Sequence, residues 1–406
     1  MQKVLARKKI FIPGGKFDDL FLIEAAHRFG FDVITSGTER NAPGHRAAEK
    51  YVYADSSDLE AMLKIAQDEH IDVMCSCAHD FGYIATTYVC EKLGLPGHDS
   101  YETALTIHKK DRFKALAKKI GLSIPGGESF SSRDDALEYL KGNFSGSGQK
   151  MIMKPVDSCA GRGITEVTSF EECGAAVDRA FEGSRLKRIV VEPYVEGTLH
   201  SASVFLVDRK AVFCFIEEGF VNPENPYGVM CAISPARDKK DIEPQLAAEI
   251  EKVAQALDLV DGKIHTNFIV DDSGKIWILE MHRRCSGDTY AKFIEFSTGI
   301  KWNEWIVKSE CGMSVKDFPR GVEQTGYNMF YIPMGKHNGI YLDTVIDDAV
   351  KPFVHASYMY YKSGDEVKNY RFDRMGLIHL ELPSYELMSR VAENLDDYFK
   401  VIVKEG

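Results

Sequence analysis

Between Lys8 and about residue 107 the chain alternates strand-like and helix-like stretches, and this alternation restricts its fold more than any other feature. KKIFIPGG reads as a strand running into a glycine turn and DDLFLIEAAHRFG as a helix closed by Gly30. FDVITSG then reads as a strand, SDLEAMLKIAQDEH as a helix, and IDVMCSCAHD as a strand again. Such an order calls for parallel strands joined by right-handed helical crossovers. Gly14 and Gly15 fall at the first strand-to-helix turn, where a dinucleotide-binding protein holds pyrophosphate. PGGKFDD lacks the full G-x-G-x-x-G and puts two Asp at the helix start, so a dinucleotide is disfavoured. Small carboxylate or amine substrates at the strand ends, near Gly14 and Gly15, stay open. CSCAHD (Cys75, Cys77, His79, Asp80) could be a metal cluster, but alternation with Met74, Ser76 and Ala78 fits a short strand with structural cysteines.

The remainder divides by composition. HKKDRFKALAKKIGL (108–122) is a basic amphipathic helix ended by Gly121, and SIPGGESF opens a new unit. GNFSGSGQK is a flexible turn, MIMKPV a strand, and DSCAGRGI a glycine-containing loop. A helix near 170–182 precedes VVEPYVEGTLH, a strand that delivers Pro193 and two carboxylates at its end. Proline cannot donate to a ladder, so pairing stops there and backbone groups are released that can serve a surface turn or read the edge of a ligand. Hairpin-like strands follow, then the polar loop NPENPYGVMCAISPARDKKD, a helix to about 258, and two strands joined by DDSG at 271–274. After about 312 the chain is aromatic and β-rich, with a last helix near 384–398.

Composition excludes several classes. With 406 residues, 44% hydrophobic and 27% charged, the chain can build two or three cores. Its formal charge of -11, from 50 Lys and Arg against 61 Asp and Glu, repels nucleic acid and anionic membrane, so neither is an expected partner. The start, MQKVLARKKIFIPGG, has too short an apolar stretch for a signal peptide, and a cytoplasmic location is expected. Nine cysteines, an odd number with apolar neighbours, suit reduced thiols.

Three stretches carry chemistry. Lys154 ends an apolar strand before PVDSCAGRGI, where Gly161 and Gly163 let backbone N–H groups approach phosphate oxygens beside Ser158 and Arg162. Lys110 opens a helix and offers a point charge for phosphates. IHTNFIVDDSGKIWILEMHRRCSGD sets Asn267 and Glu280 side by side across a hairpin, with Glu280 and His282 on one face and Arg283 and Arg284 following. Magnesium needs only one or two protein carboxylates there, and Arg284 offers a planar donor to a phosphoryl group. A surface ion-pair network is the plain alternative.

Together these stretches resemble the ATP-grasp superfamily. The likeness is to its carboxylate-amine ligases, its dipeptide (L-amino-acid) ligases and the carbamoyl-phosphate-synthetase and biotin-carboxylase branch, and it runs from the N-terminal α/β unit to about residue 300. KDRFKALAKKIGLSIP resembles the first nucleotide lysine and its helix, KPVDSCAGRG the second lysine and phosphate loop, and LEMHRRCSGD the E-x-N-P-R-x-x-G signature. The resemblance implies α/β and α+β classes: an N-terminal parallel pre-ATP-grasp domain (1–107), a two-part ATP-grasp fold (108–312, with a lid over about 125–192) and a small β-rich C-terminal region (313–406). It implies ATP with Mg2+ or Mn2+ as cofactors, a hinge at Glu192–Val195 whose Pro193 carbonyl and Val195 N–H read adenine, and Glu192 flanking the base. Glu196 and His200 become candidates for the ribose hydroxyls, the alternative for His200 being a plain surface residue.

Glu280, Asn267 and His282 are the implied metal ligands, with Asn267 where the family has a carboxylate, and with His282 and Arg283 where it has Asn and Pro. His282 is either a ligand, which would favour manganese, or a donor to a phosphate or substrate oxygen. Arg284 and Lys154 are the implied catalytic groups. Arg237 and Arg283 join Gly14 and Gly15 as substrate candidates, Arg237 being otherwise a solvated arginine. Cys285 reads as a half-buried thiol rather than a nucleophile. The implied activity is ATP-dependent phosphorylation of a small carboxylate to an acyl phosphate and its capture by an amine, on amino-acid-like substrates. The alternatives are a carboxyphosphate-forming carboxylase and a nucleotide-binding module with a degenerate metal site. Partners are then the small carboxylate and amine, and a homodimer is compatible with the chain.

Overall fold

The computed structural model describes residues 7–144, 149–158 and 161–405. The alternating N-terminal part folds as expected: β1 (Lys9–Ile12), β2 (Asp32–Gly37), β3 (Lys50–Tyr53) and β4 (Val73–Met74) form a parallel sheet in the order β3-β2-β1-β4. Successive β1 side chains point to opposite faces. Ile10 and Ile12 accordingly pack with the helix Leu20–Arg28, and Phe11 with the helices Leu59–Glu69 and Asp80–Leu93. The strand read through CSCAHD is shorter than expected, because pairing stops at Met74. Residues 75–79 run on to the helix Asp80–Leu93, whose Gly82 N–H is capped by His79 Nδ1 at 3.0 Å.

The next unit is a small antiparallel sheet, in the order β5-β8-β6-β7, of β5 (Glu128–Phe130), β6 (Met151–Pro155), β7 (Thr165–Val167) and β8 (Ile189–Pro193). With the helices Arg133–Phe144 and Phe170–Gly183 it encloses its own core of Leu140, Met151, Met153, Val177, Ile189 and Val191. The basic helix before it runs from Lys110 to Ile120 and ends at Gly121, whose φ of 67° suits glycine. Residue 108 belongs to a separate helix, Tyr101–His108.

A central antiparallel sheet organises the rest. β9 (Thr198–Val207), β10 (Lys210–Asn222), β11 (Asn225–Ser234), β12 (Gly262–Val270) and β13 (Ile276–His282) are followed by β14 (Tyr327–Tyr331), β15 (Gly339–Ile346), β16 (Val354–Met359), β17 (Glu366–Val367), β18 (Gly376–Leu382) and β19 (Phe399–Lys404). Eight of these form one sheet, β13-β12-β9-β10-β11-β14-β18-β16, and β17-β15-β19 form a small second one. The expected boundary at 312 therefore runs through a continuous sheet, because β14 pairs with β11. The last helix breaks at Asn394 into Tyr385–Glu393 and Leu395–Tyr398.

The central sheet buries both faces. Ala202, Val204, Ile216 and Ile264 pack on the helix Lys239–Ala256, while Phe205 and Phe215 pack on the helices Tyr290–Thr298 and Trp302–Glu310. The eight described cysteines are buried thiols, and no described helix is long and apolar enough to cross a membrane.

Candidate active site between the two antiparallel sheets

The DDSG turn sets the register that matters most. Asp271 Oδ1 accepts from the Ser273 and Lys275 N–H groups at 2.9 and 3.1 Å, and the tight turn places Asn267 opposite Glu280. Asn267 Nδ2 donates to Glu280 Oε1 at 3.0 Å, and Lys110 Nζ lies 2.8 Å from Glu280 Oε2. Lys110 also reaches the Ser158 carbonyl at 3.4 Å, joining the glycine loop of the small sheet to the central sheet. Burial would raise the Glu280 pKa, but Lys110 and His282 overrule it and hold the carboxyl well below its ordinary range.

At the end of β8 a second carboxylate is held by two lysines. Buried Glu192 lies 2.7 Å from Lys154 Nζ and 2.7 Å from Lys114 Nζ. Lys114 further donates to the carbonyls of Pro125 and Gly126 at 2.9 and 2.7 Å. Lys114 was not among the expected site residues; its signal in the sequence is its place four residues after Lys110, on the same helix face. Burial pushes the Glu192 pKa up, and the two ammonium groups more than reverse it.

Pro193 ends β8 as expected, and Val195 lies half-buried in the turn that follows. Glu196 is exposed and sits 3.1 Å from Lys150. His200 does not join these residues, which corrects its reading as a ribose contact. It lies on the opposite face of β9 from Ser201, the residue paired with Asn267, and is only 2% exposed. Its Nδ1 meets the Glu217 carbonyl at 3.0 Å, its Nε2 meets Thr198 Oγ1 at 2.8 Å, and its ring stacks on Phe268.

The glycine loop rests against the central sheet. Ser158 Oγ donates to the Arg162 carbonyl at 2.9 Å, and Arg162 stands over the Phe372 ring at 5.7 Å. Gly161 has φ of 75° and approaches β11 so closely that a Cβ there would lie 2.6 Å from Tyr227 Cβ; Gly163, with φ of 74°, is pressed on Pro155 in the same way.

Arg284 is fixed by the first residue of the helix Asp80–Leu93: its Nε donates to Asp80 Oδ1 at 2.6 Å. The same oxygen is 3.1 Å from His108 Nδ1 and 3.4 Å from His282 Nδ1. Asp80, His108 and His282 each bring one potential metal-ligand atom to within 4.8 Å of the others. His108 is nevertheless spent, since its Nε2 accepts from the Arg283 backbone N–H at 3.1 Å, which leaves the Nδ1 proton for Asp80. His282 spans two carboxylates, with Nε2 3.4 Å from Glu280. Burial and Arg284 oppose its charge, while Glu280 and Asp80 more than offset them and raise its pKa above the ordinary value. This position between two carboxylates suits either reading of His282, as a metal ligand or as a donor to a phosphate or substrate oxygen.

The other substrate candidates lie elsewhere. Arg283 is 4% exposed and donates to Asp99 Oδ2 at 2.8 Å and to the carbonyls of Lys263 and Val260, so it is framework and not a substrate contact. Arg237 is exposed beside Glu218 and Glu393, on the side of β10 facing away from Glu217. Gly14 and Gly15 are packed on Asp19, Cys77 and His45, and Asp19 itself takes the Lys16 and Ala78 N–H groups at 3.0 and 2.9 Å. That turn already holds an internal anion. Cys285 is 2% exposed, and burial pushes its thiol up to about 12.

A model of the ATP-grasp domain matches residues 108–288. Formate-dependent phosphoribosylglycinamide formyltransferase of Herminiimonas arsenicoxydans is 25% identical over 197 residues, which are 47% of this chain and 46% of that protein. The chain thus spans less than half the length of that relative. The crystal structure of L-amino acid ligase from Bacillus licheniformis superposes with a TM-score of 0.81 at 18% identity, over 99% of this chain and 100% of that one. Phosphoribosylglycinamide synthetase from Anaerococcus prevotii gives 0.74 at 19% identity, over 98% and 100%. These structures share the fold along nearly the whole chain, and residues 108–288 of it are an ATP-grasp domain.

Proposed function

We propose that the chain is an ADP-forming carbon-nitrogen ligase that phosphorylates a small carboxylate with ATP and joins the acyl group to an amine. The observation that carries this reading is the convergence of Lys110, Glu280 and Asn267 with Arg284, linked through Ser158 to the loop beside Lys154. Lys110 and Lys154 would take the phosphates, with the loop N–H groups around Gly161 and Gly163. The β8 end at Pro193 and Val195 would read the base, with Glu192 holding Lys154 in reach.

The Glu280 carboxylate with the Asn267 amide beside it is an oxygen donor set, which fits a hard divalent ion arriving with ATP. Such an ion would neutralise charge between the outer phosphates. Arg284, locked by Asp80, would stabilise the acyl phosphate and the oxyanion formed when the amine attacks its carbonyl carbon, and phosphate then leaves with the bonding electrons. His282, between Glu280 and Asp80, would join the metal or donate to a phosphoryl or substrate oxygen. The small sheet of 125–192, with its separate core, would act as a lid over the nucleotide.

The test is ATP turnover with single and paired amino acids, with hydroxylamine as trap. Hydroxamate that follows the added carboxylic acid is the expected result. A bicarbonate requirement would instead identify a carboxylase, and nucleotide binding without turnover under any pairing would identify a binding module.

A further inference from the structure

Beyond Asn267 the row of paired residues continues along the central sheet to Ser201 on β9 and Glu217 on β10. All of these point to the face that carries Glu280. Glu217 is 2% exposed, its Oε2 has no hydrogen-bond partner, and the Ser201 hydroxyl stands beside its carboxyl. Tyr290, 4% exposed, also leaves its hydroxyl unpartnered next to this carboxylate.

Facing Glu217 is the loop that follows Arg284. Asp288 and Thr289 both adopt left-handed backbone, with φ of 58° and 46°, which non-glycine residues rarely adopt. This turn aims Asp288 at Arg374, with which it forms an ion pair, and brings the Thr289 N–H to Asp18 Oδ1 at 2.7 Å. Asp18 comes from the N-terminal domain and Arg374 from the C-terminal strands, so three regions meet here. Asp288 and Asp18 therefore share one guanidinium, and Glu217 stands near Asp288. Phe17 and Tyr360 line the same place, with ring centroids 4.8 Å apart, and offer aromatic faces to a cation. The Tyr360 hydroxyl is buried without a partner. Burial, with Asp288 second, raises the Asp18 pKa to about 7, and burial raises that of Glu217 to about 8.

We propose that this cleft binds a primary ammonium group of the substrate, held by Glu217, Asp288 and Asp18 against Phe17 and Tyr360. β10 is two strands from β12, so the ammonium lies on the order of 10 Å from Asn267. At that separation it is an anchoring charge rather than the amine that attacks at Arg284. The substrate is then an extended, amine-bearing carboxylate. This rests on the ligase reading for where the reacting end lies, but the binding site itself does not need turnover.

The test is calorimetry of the full chain, saturated with magnesium and a non-hydrolysable ATP analogue, against matched probes: L-lysine with L-norleucine, L-ornithine with L-norvaline, and 6-aminohexanoate with hexanoate. At least one amine should bind ~10-fold or more tightly than its partner without the distal amine, as a charge-assisted contact in a dry site requires. Glu217→Gln keeps the shape, and Asp288→Asn keeps a residue that tolerates left-handed backbone; each should erase the preference. Equal binding of both members in every pair, no binding by any amine, or a preference unchanged in both variants would overturn the proposal. Discrimination without ATP turnover would leave the cleft assigned and sink the ligase; turnover without discrimination would do the reverse.

Discussion

Two carboxylate clusters, one around Glu192 and Glu280 and one around Glu217 and Asp288, handle charge in opposite ways. At the proposed nucleotide end each carboxylate is matched by lysine: Glu192 by Lys114 and Lys154, Glu280 by Lys110. At the far end Asp288 and Asp18 share Arg374, and Glu217 stands near Asp288 with Ser201 beside it. A polyanion can enter the first end by taking lysines already held in position, at the cost of loosening ion pairs. At the second end Asp288 is already paired with Arg374 while burial favours the protonated forms of Glu217 and Asp18, and a bound cation would take the place of those protons. On the proposed reading the two clusters would orient a substrate between its phosphorylated end and its anchored end.

The largest expected effect is at the junction of the two ends. Arg284→Met should lower ligation by about 10³-fold, as removal of an oxyanion donor does. Asp80→Asn, which only loosens the same guanidinium, should lower kcat by ~10-fold or more with little change in the KM for ATP; steady-state kinetics on both variants checks the pair. At the nucleotide end, Glu192→Gln leaves two buried lysines facing each other and should destabilise the free protein by ~3 kcal/mol. An ATP analogue should recover much of that loss in thermal unfolding, and an equal loss with and without nucleotide would break the contrast drawn above.

A smaller effect is expected at the far end. The folded Glu217 pKa, raised from 4.5 to about 8, means the folded state holds the extra proton across that window. Stability from this group is complete below pH 4.5 and is lost as pH rises through 8. Glu217→Gln should flatten that slope and stabilise the protein near pH 8 by ~1–3 kcal/mol, the scale of an unsatisfied buried polar group. Denaturant titrations from pH 5 to 9 read this directly. His282→Asn divides the two readings of that ring: the manganese-to-magnesium activity ratio should fall if it is a ligand and stay as in the parent if it is a donor.

Local periodicity made the N-terminal sheet and the 262–282 hairpin legible, since a four-residue turn and a two-residue repeat determine which side chains share a face. The same parity separates His200 from Ser201, but the likeness of motifs outweighed it. Lys114 was within reach of the helical repeat. Asp80 and Glu217 were not: Asp80 meets Arg284 across 204 residues of chain, and Glu217 gains its place from strand pairing that no short stretch encodes. Nor could composition show that β14 joins β11, because an edge strand takes its partner from tertiary packing.

The central claim is that a carboxylate oxygen is phosphorylated before the amine attacks. With a turning-over carboxylate labelled with ¹⁸O, together with ATP and the amine, the released phosphate is followed by ³¹P NMR. Acyl phosphate formation predicts one ¹⁸O carried from the carboxylate into phosphate at each turnover. Phosphate released without label while the amide forms would contradict the account.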